Sequence, residues 1–484
     1  MWVPFVAGAA TVLAFAPVGL FPLALVTFGL LAHFLMEATP RSAFWSGYAF
    51  GLGLFGAGVS WVYVSMHTFG AMPLPLAVLA TFLFCAFLAL FPAAAGWLQA
   101  RIPAHPYFRA CLLIPAAWTL FEWVRSWIFT GFPWLSAGYA AVGWPLQGFA
   151  PLLGVFGLSF VTLSLSGMAW LTFRKQKPAL FVTAFIAVVG AGEALRHVHW
   201  TERAGEPVSA ALLQGNIEQD LKFRPESYAK ILATYVRLAE GTSAKLIIFP
   251  ETSIPRFLDR IEPDFLERLE GVAKRNGGDL LLGVPYRSRS DEYFNSVISL
   301  GGSPRQAYHK SHLVPFGEFI PPGFGWLLSV LEIPLSDFSR GGHDQPPIAA
   351  AGQRVAVNVC YEDAFGDEIA RRVREATLLV NVSNVAWFGD SLAPAQHLQI
   401  ARLRAVETGR MHLAATNTGI TAAIDRDGRV LARLAQFTEG RLEVSAQGYA
   451  GATPYARYAD WPVVIVSLLV LAGALLVARR ASSR

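Results

Sequence analysis

Residues 1 to about 195 are almost uninterrupted apolar sequence, about 197–458 read like an ordinary globular domain, and a last apolar run spans Trp461 to Ala478. A chain divided in this way cannot fold around one water-soluble core. Hydrocarbon offers no partners to backbone N–H and C=O groups, so long apolar stretches must satisfy them internally, as helices. A span takes roughly 20 apolar residues. Candidate segments lie near 3–18, 20–36, 43–66, 72–98, 107–128, 151–173, 178–195 and 461–478. The expected organisation is a transmembrane bundle over 1–196, a polar domain over 205–445, and a C-terminal span at 461–478. The first two segments are short and parted only by Pro17 to Gly19, which also suits a re-entrant pair.

Loop charges orient these segments. Arg41, then Arg101 and Arg109, then Arg174, Lys175 and Lys177, and finally Arg479, Arg480 and Arg484 fall on one set of connections. The alternate loops, 67–71 and 129–150, carry no Lys or Arg. The positive-inside rule then puts both termini in the cytoplasm and the polar domain outside it. A bacterial inner membrane with a periplasmic domain is the expected setting. The net charge of +5 mostly reflects this loop bias and gives no argument for a nucleic-acid partner. Arg125 stands apart, near the outer end of the fifth segment, where it is expected to snorkel and pair with Glu122. Phe132, Trp134, Tyr139 and Trp144 in the uncharged loop suit an interfacial belt, or a greasy vestibule beneath the polar domain.

G-L-G-L-F-G at 51–56 matches the dinucleotide-binding pattern in letters only, because no soluble strand–turn–helix surrounds it. Gly47, Gly51, Gly53, Gly56 and Gly58 read instead as small residues that let helices pack closely.

From about Pro207 the pattern changes to short strands alternating with amphipathic helices. Strands are expected at 208–217, 245–250, 279–284, 293–300, 354–359, 377–382 and 411–416, and helices at 226–240, 263–276, 365–375 and 394–408. Asp427-Gly428 marks a hairpin turn. This alternation predicts an α/β sandwich of mixed sheets.

Among the three cysteines, Cys85 and Cys111 fall inside apolar segments, and Cys360 is alone in the polar domain. It ends the strand pattern R-V-A-V-N-V, where the chain turns and backbone N–H groups come free. A neutral thiol there needs a base or a nearby cation to become a good nucleophile at neutral pH. Two other strand ends offer these groups. I-I-F-P-E places Glu251 after a buried run, as a general base would sit. A-Y-H-K-S-H-L-V-P-F-G-E holds Lys310, suited to stabilising an oxyanion, and Glu318 eight residues later. Taken singly, each of these also suits an ordinary solvated charge or a buried thiol. The histidines His309, His312, His343, His397 and His412 lack metal-site spacing, so no metal is expected.

F-P-E-T, H-K-S-H-L-V-P-F-G-E and N-V-C-Y-E-D, in that order, resemble the three motifs of the nitrilase (carbon–nitrogen hydrolase) superfamily over roughly 205–440. The resemblance implies an αββα sandwich and a Glu–Lys–Cys triad of Glu251, Lys310 and Cys360. Apolar segments on both sides, with T-G-F-P-W, L-L-Q-G-N-I and N-V-S-N-V-A-W-F-G, are similar to the apolipoprotein N-acyltransferase family, and this likeness covers nearly the whole chain. It implies an acyltransferase that moves a phospholipid acyl chain through a Cys360 thioester to the α-amino group of a diacylglyceryl-cysteine lipoprotein, without metal or cofactor. It further implies supporting roles for Glu318, Tyr361, Glu362, Phe223 and Trp387, with Phe388 beside Trp387 in an apolar lid. Phe223 stands where many members carry tryptophan, which removes an indole N–H. A membrane-anchored nitrilase-like hydrolase and a non-catalytic receptor or transporter are the alternatives.

Overall fold

Side-chain alternation along the strands builds the polar domain in layers. Leu246 and Ile248 of one short strand point to one face while Ile247 points to the other, and all three are fully buried. That two-residue period lets one strand serve two cores at once. The computed structural model describes residues 1–320 and 337–482, so Arg484 lies outside the described residues. The chain divides into two units, residues 1–63, 74–199 and 458–484 in one, and 64–73 with 200–457 in the other.

In the second unit the strands are β1 (Thr201–Arg203), β2 (Val208–Gln214), β3 (Leu246–Ile248), β4 (Asp279–Arg287), β5 (Tyr293–Gly301), β6 (Ala307–His309), β7 (Ile348–Ala350), β8 (Gln353–Val359), β9 (Leu378–Ser383), β10 (His412–Thr416), β11 (Ala422–Ile424), β12 (Val430–Arg433), β13 (Gly440–Ala446) and β14 (Tyr449–Gly451). Two six-stranded sheets run β13-β2-β3-β4-β5-β6 and β12-β11-β10-β9-β8-β7, and β1 pairs with β14 in a small ribbon. Each large sheet has a parallel centre, β2-β3-β4 in one and β8-β9-β10 in the other, with antiparallel strands outside it.

The inner faces meet in one core. Leu212, Leu246, Ile248, Leu281 and Tyr308 come from the first sheet, and Val355, Val357, Val359, Val380 and Val382 from the second. Outside the first sheet, Tyr235 of helix Pro225–Glu240 and Leu269 of helix Pro263–Arg275 cover Ile247, Phe249 and Leu280. Outside the second, Ile369 and Val373 cover Ala356 and Leu379. The result is a sandwich of mixed sheets, as the β/α alternation predicts, in the αββα order that the resemblance implies. Each fully buried Leu, Ile or Val contributes about 1.5–3 kcal/mol.

The other unit is helical. Leu74–Ala100, Pro145–Phe173, Pro178–Leu195 and Trp461–Arg480 are long and apolar enough to cross a membrane, and Pro40–Gly58 with Val62–Phe69 makes a fifth if read as one broken span. This is fewer than the eight segments read from hydropathy. The first two form helices Trp2–Thr11 and Phe21–Met36, shorter than a span, because Pro17 and Gly19, which is in the left-handed region, interrupt them. The segment near 107–128 is divided into a π-turn, Arg109–Leu113, and the helix Ile114–Arg125.

Close packing explains most of the glycines. A Cβ on Gly53 would lie 2.0 Å from the Phe5 carbonyl oxygen, and one on Gly47 2.3 Å from that of Pro92, whereas Gly56 faces open space. Arg125 does not snorkel. It is 2% exposed, and its guanidinium donates to the carbonyls of Phe132 (2.5 Å) and Trp134 (2.7 Å) and to the Ser136 hydroxyl (3.2 Å). Glu122 accepts from the Trp118 indole and the Ala137 N–H, both at 2.8 Å. These two charges fold the aromatic loop inward, so Trp134 and Tyr139 are buried rather than arrayed as an exposed belt.

Candidate active site

Three strand ends of the sandwich, two from parallel strands and one from the antiparallel edge strand β6, deliver side chains to one place. β3 runs out through Phe249 and Pro250 to Glu251, β6 leads directly into Lys310, and β8 ends at Cys360. Carboxyl ends of parallel strands are where open α/β sheets build their sites, because the chain must turn there and frees polar backbone. Cys360 opens a short 3₁₀ turn, Cys360–Ala364, and its φ of +52° lies in the left-handed region that non-glycine residues seldom adopt. Such strain persists only where the surroundings hold it.

Lys310 and Glu251 are buried, and Glu318 is largely so. The Lys310 ammonium lies 2.8 Å from Glu318 Oε2 and 3.6 Å from Glu251 Oε1. Asn295 of β5 joins the two carboxylates, its amide donating 2.6 Å to Glu251 and 2.8 Å to Glu318. The Asn384 N–H donates 2.7 Å to Glu251 Oε2 and the Val314 N–H 2.8 Å to Glu318 Oε2. Burial opposes the charge on Lys310, yet Glu318, Glu251 and Cys360 outweigh it and hold the ammonium above its ordinary range. For Cys360 the balance runs the other way. Burial and the charge of Glu251 push the thiol above its ordinary value against the pull of Lys310. The resting pair is therefore a neutral thiol beside a locked ammonium.

Glu362 is wholly buried and is turned toward the segment that follows Lys310. Its carboxylate accepts from the Tyr308 hydroxyl (2.8 and 2.9 Å), the N–H groups of Val359 (2.7 Å), Ser311 (2.8 Å) and His312 (3.1 Å), and the Ser311 hydroxyl (2.9 Å). Burial works against its charge, but Arg372, Lys310 and those N–H groups hold it below the usual carboxylate range. Glu362 thus ties the turn after Cys360 to the segment after Lys310. Tyr361 is half-buried, its ring edge-on to Phe365 (5.0 Å) and His312 (5.8 Å). Trp387 and Phe388 lie in the 3₁₀ turn Val385–Phe388. The Trp387 carbonyl accepts from Ser65 (2.8 Å), and its ring meets Phe69 edge-on, so residues 64–73 hold this turn. Phe223 follows the short helix Gln219–Lys222, half-buried.

Three further polar residues stand at the site. Lys222, 2% exposed, donates 3.3 Å to the Glu251 carbonyl, and burial lowers its pKa to about 8 against the attraction of Glu251 and Cys360. Asn295 bridges the carboxylates, and Asn381 donates 3.2 Å to the Cys360 carbonyl. Asn295 and Asn381 lie in largely apolar strands, Asn381 at the head of N-V-S-N-V-A-W-F-G, and Lys222 ends the polar helix Gln219–Lys222. Chemically, the arrangement sets a thiol, a carboxylate able to take its proton, and a fixed cation around one point, as covalent acyl chemistry requires.

Residues 7–168 match the apolipoprotein N-acyltransferase N-terminal domain, and residues 209–455 match the carbon–nitrogen hydrolase domain. The chain is 50% identical over 483 residues to an apolipoprotein N-acyltransferase of Nitrosomonas europaea, covering 97% of this chain and 96% of that one. One from Chromobacterium violaceum is 45% identical over 475 residues, 96% and 92% of the two chains. One from Methylococcus capsulatus is 44% identical over 459 residues, 93% and 91%. With both its halves matched and near-complete relatives at this identity, the chain belongs to the apolipoprotein N-acyltransferase family.

Proposed function

We propose that the protein transfers an acyl chain from a membrane phospholipid to the α-amino group of the N-terminal diacylglyceryl-cysteine of lipoproteins. The observation that carries this reading is the buried Glu251–Lys310–Glu318 network beside the lone thiol of Cys360, in a chain whose remainder is largely membrane-type helix. Glu251 takes the Cys360 proton as sulfur attacks the ester carbonyl. Lys310 and the Tyr361 N–H stabilise the oxyanion. Collapse breaks the ester C–O bond, Glu251 returns the proton to the departing alkoxide, and a lysophospholipid leaves a thioester on Cys360. The lipoprotein amine then attacks, giving its proton to Glu251. The C–S bond breaks, the amide is released, and Glu251 reprotonates the sulfur.

A neutral thiol favours this order. Proton transfer and attack are coupled, so the reactive thiolate forms only against a bound ester. Glu318 keeps Lys310 charged and aimed. Glu362 fixes the turn carrying Cys360 and Tyr361, while Phe223 and Trp387 supply apolar surface for the acyl chain. The loop charges support a bacterial inner-membrane setting with this unit in the periplasm and both termini in the cytoplasm.

Intact-mass measurement after incubation with phospholipid and no acceptor tests the reading. One added acyl mass on Cys360, removed by hydroxylamine or by a lipopeptide amine, is expected. An adduct lost to water as fast as it forms, with the lipopeptide unchanged, would instead identify a hydrolase. No adduct and no lysophospholipid would refute lipid acyl transfer.

A further inference from the structure

The nucleophile turn carries two acidic residues, and the mechanism uses only one side of it. Glu362 faces the Lys310 segment; Asp363 faces the opposite way, into helix Ala393–Thr408 and strand β10. Asp363 is fully buried, and neither of its carboxylate oxygens has a hydrogen-bond donor among the described residues. Two imidazoles stand against it instead. His397 Nε2 is 3.6 Å from Oδ2, and His412 Nε2 is 3.5 Å from Oδ1. His412 is fixed through Nδ1, 3.0 Å from the Ala401 carbonyl. The His397 ring is also hydrogen-bonded to the Cys360 backbone. A small cavity lined by Asp363, His397, Ala401 and Thr416 adjoins the group.

An isolated carboxylate is expensive to bury, so a site with nothing else to offer would have lost it. Here two imidazoles stand against the carboxylate, and one of these also reaches the backbone of Cys360. Cys360 sits at φ +52°, and its carbonyl already takes a hydrogen bond from Asn381. We propose that Asp363, His397 and His412 form a buried positioning cluster in which His397, oriented by Asp363, holds the Cys360 backbone in its left-handed conformation and so aims both the sulfur and the following Tyr361 N–H. The charged and titratable groups facing His397 are Asp363 and His412, with Glu251 further off across the site. None of the three cluster members touches substrate in this scheme; they act through Cys360.

The inference rests on Cys360 being the acylated residue, which the wild-type adduct tests separately. The experiment uses the full-length protein in detergent or lipid nanodiscs and compares His397→Leu, His397→Gln and Asp363→Asn. Losing a buried hydrogen bond to a strained turn predicts a kcat for Cys360 acylation lower by about 10- to 100-fold in His397→Leu, with KM within about twofold. Gln keeps an N–H donor at that position and is expected to recover most of the loss. Asp363→Asn, which keeps shape but removes the charge, is expected to lower kcat about tenfold at unchanged KM. Thermal midpoints are read alongside. Equal activities for the Leu and Gln variants, a change confined to KM, or an undiminished kcat in Asp363→Asn would each overturn the proposal. If His397→Leu does not fold, the Asp363→Asn and His397→Gln kinetics decide it alone.

Discussion

Replacing Lys222 by Met is expected to make the protein more stable and less active. The ammonium is buried and its nearest fixed partner is a single backbone carbonyl, that of Glu251 at 3.3 Å. Burial lowers its pKa from the ordinary 10.5 to about 8, so the folded protein holds this proton more weakly than the unfolded chain does. Below pH 8 both states are protonated and the full penalty of burying the charge is present. Between about 8 and 10.5 the folded state gives up the proton first, stability rises with pH, and the penalty fades. The gap corresponds to roughly 3 kcal/mol at pH 7 and to about 1 kcal/mol at pH 10. Removing the hydrogen bond to Glu251 subtracts about 1 kcal/mol from the gain. Lys222→Met should therefore unfold about 2 kcal/mol later than wild type at pH 7, and show no advantage at pH 10. Thermal midpoints of both proteins, scanned in the same detergent at one rate from pH 6.5 to 10, measure this. The Glu251 turn loses its anchor, so acylation of Cys360 should slow. A variant less stable than wild type at pH 7, or a stability difference independent of pH, would refute the reasoning.

Glu251→Gln should lower the rate of Cys360 acylation by about 10²–10⁴-fold, the usual contribution of a general base, with the fold intact by circular dichroism. Glu318→Gln removes one of the two carboxylates facing a buried ammonium and should cost about 3–5 kcal/mol in unfolding free energy, read from the thermal midpoint. Glu362→Leu should be more damaging still to the fold than to any one catalytic step, because Tyr308, Ser311, His312, Val359 and Arg372 all lose their acceptor; failure to express at wild-type level is the expected readout. Iodoacetamide should alkylate Cys360 slowly up to pH 9 in wild type, because burial and Glu251 keep the thiol protonated, and Lys310→Met should slow it further.

The parts of this molecule that were legible in the sequence are those written in local periodicity or in a strand-end motif. Leu246, Ile247 and Ile248 announce a buried two-faced strand, Lys310 and Cys360 follow a strand directly, and Glu251 comes three residues after one, so their positions depend little on loop geometry. What the sequence hid depends on contacts between distant segments. Asn295 reads as one polar residue in a strand until its amide is seen joining Glu251 to Glu318, 44 and 23 residues away. Residues 64–73 sit within the apolar half of the chain, yet Ser65 and Phe69 pack on Trp387. Hydropathy marks eight segments where four or five helices are long and apolar enough to span, for a related reason. Hydropathy averages over Pro17, Gly19 and the π-turn at Arg109–Leu113, and it cannot see that Arg125 turns back to bind the carbonyls of its own loop.

The arrangement around Cys360 also answers why a lone thiol is tolerable in the extracytoplasmic setting proposed for it. Oxidation proceeds through the thiolate, and an exposed low-pKa cysteine with no partner would be lost stepwise to sulfenic and higher acids. Desolvation, and a base that is itself negative, push the thiol above its ordinary value and so disfavour the oxidisable thiolate in the resting site. The same negative base makes the protein dependent on its cation. In the proposed reaction, once Glu251 has taken the proton the repulsion between carboxylate and thiolate is gone, and Lys310, held charged by Glu318, is the group left facing the developing oxyanion. Protection and catalysis thus draw on one charge balance, with the carboxylates of Glu251 and Glu318 and the ammonium groups of Lys310 and Lys222 around a neutral sulfur. A preformed thiolate–lysine pair would give faster alkylation but would forfeit that protection.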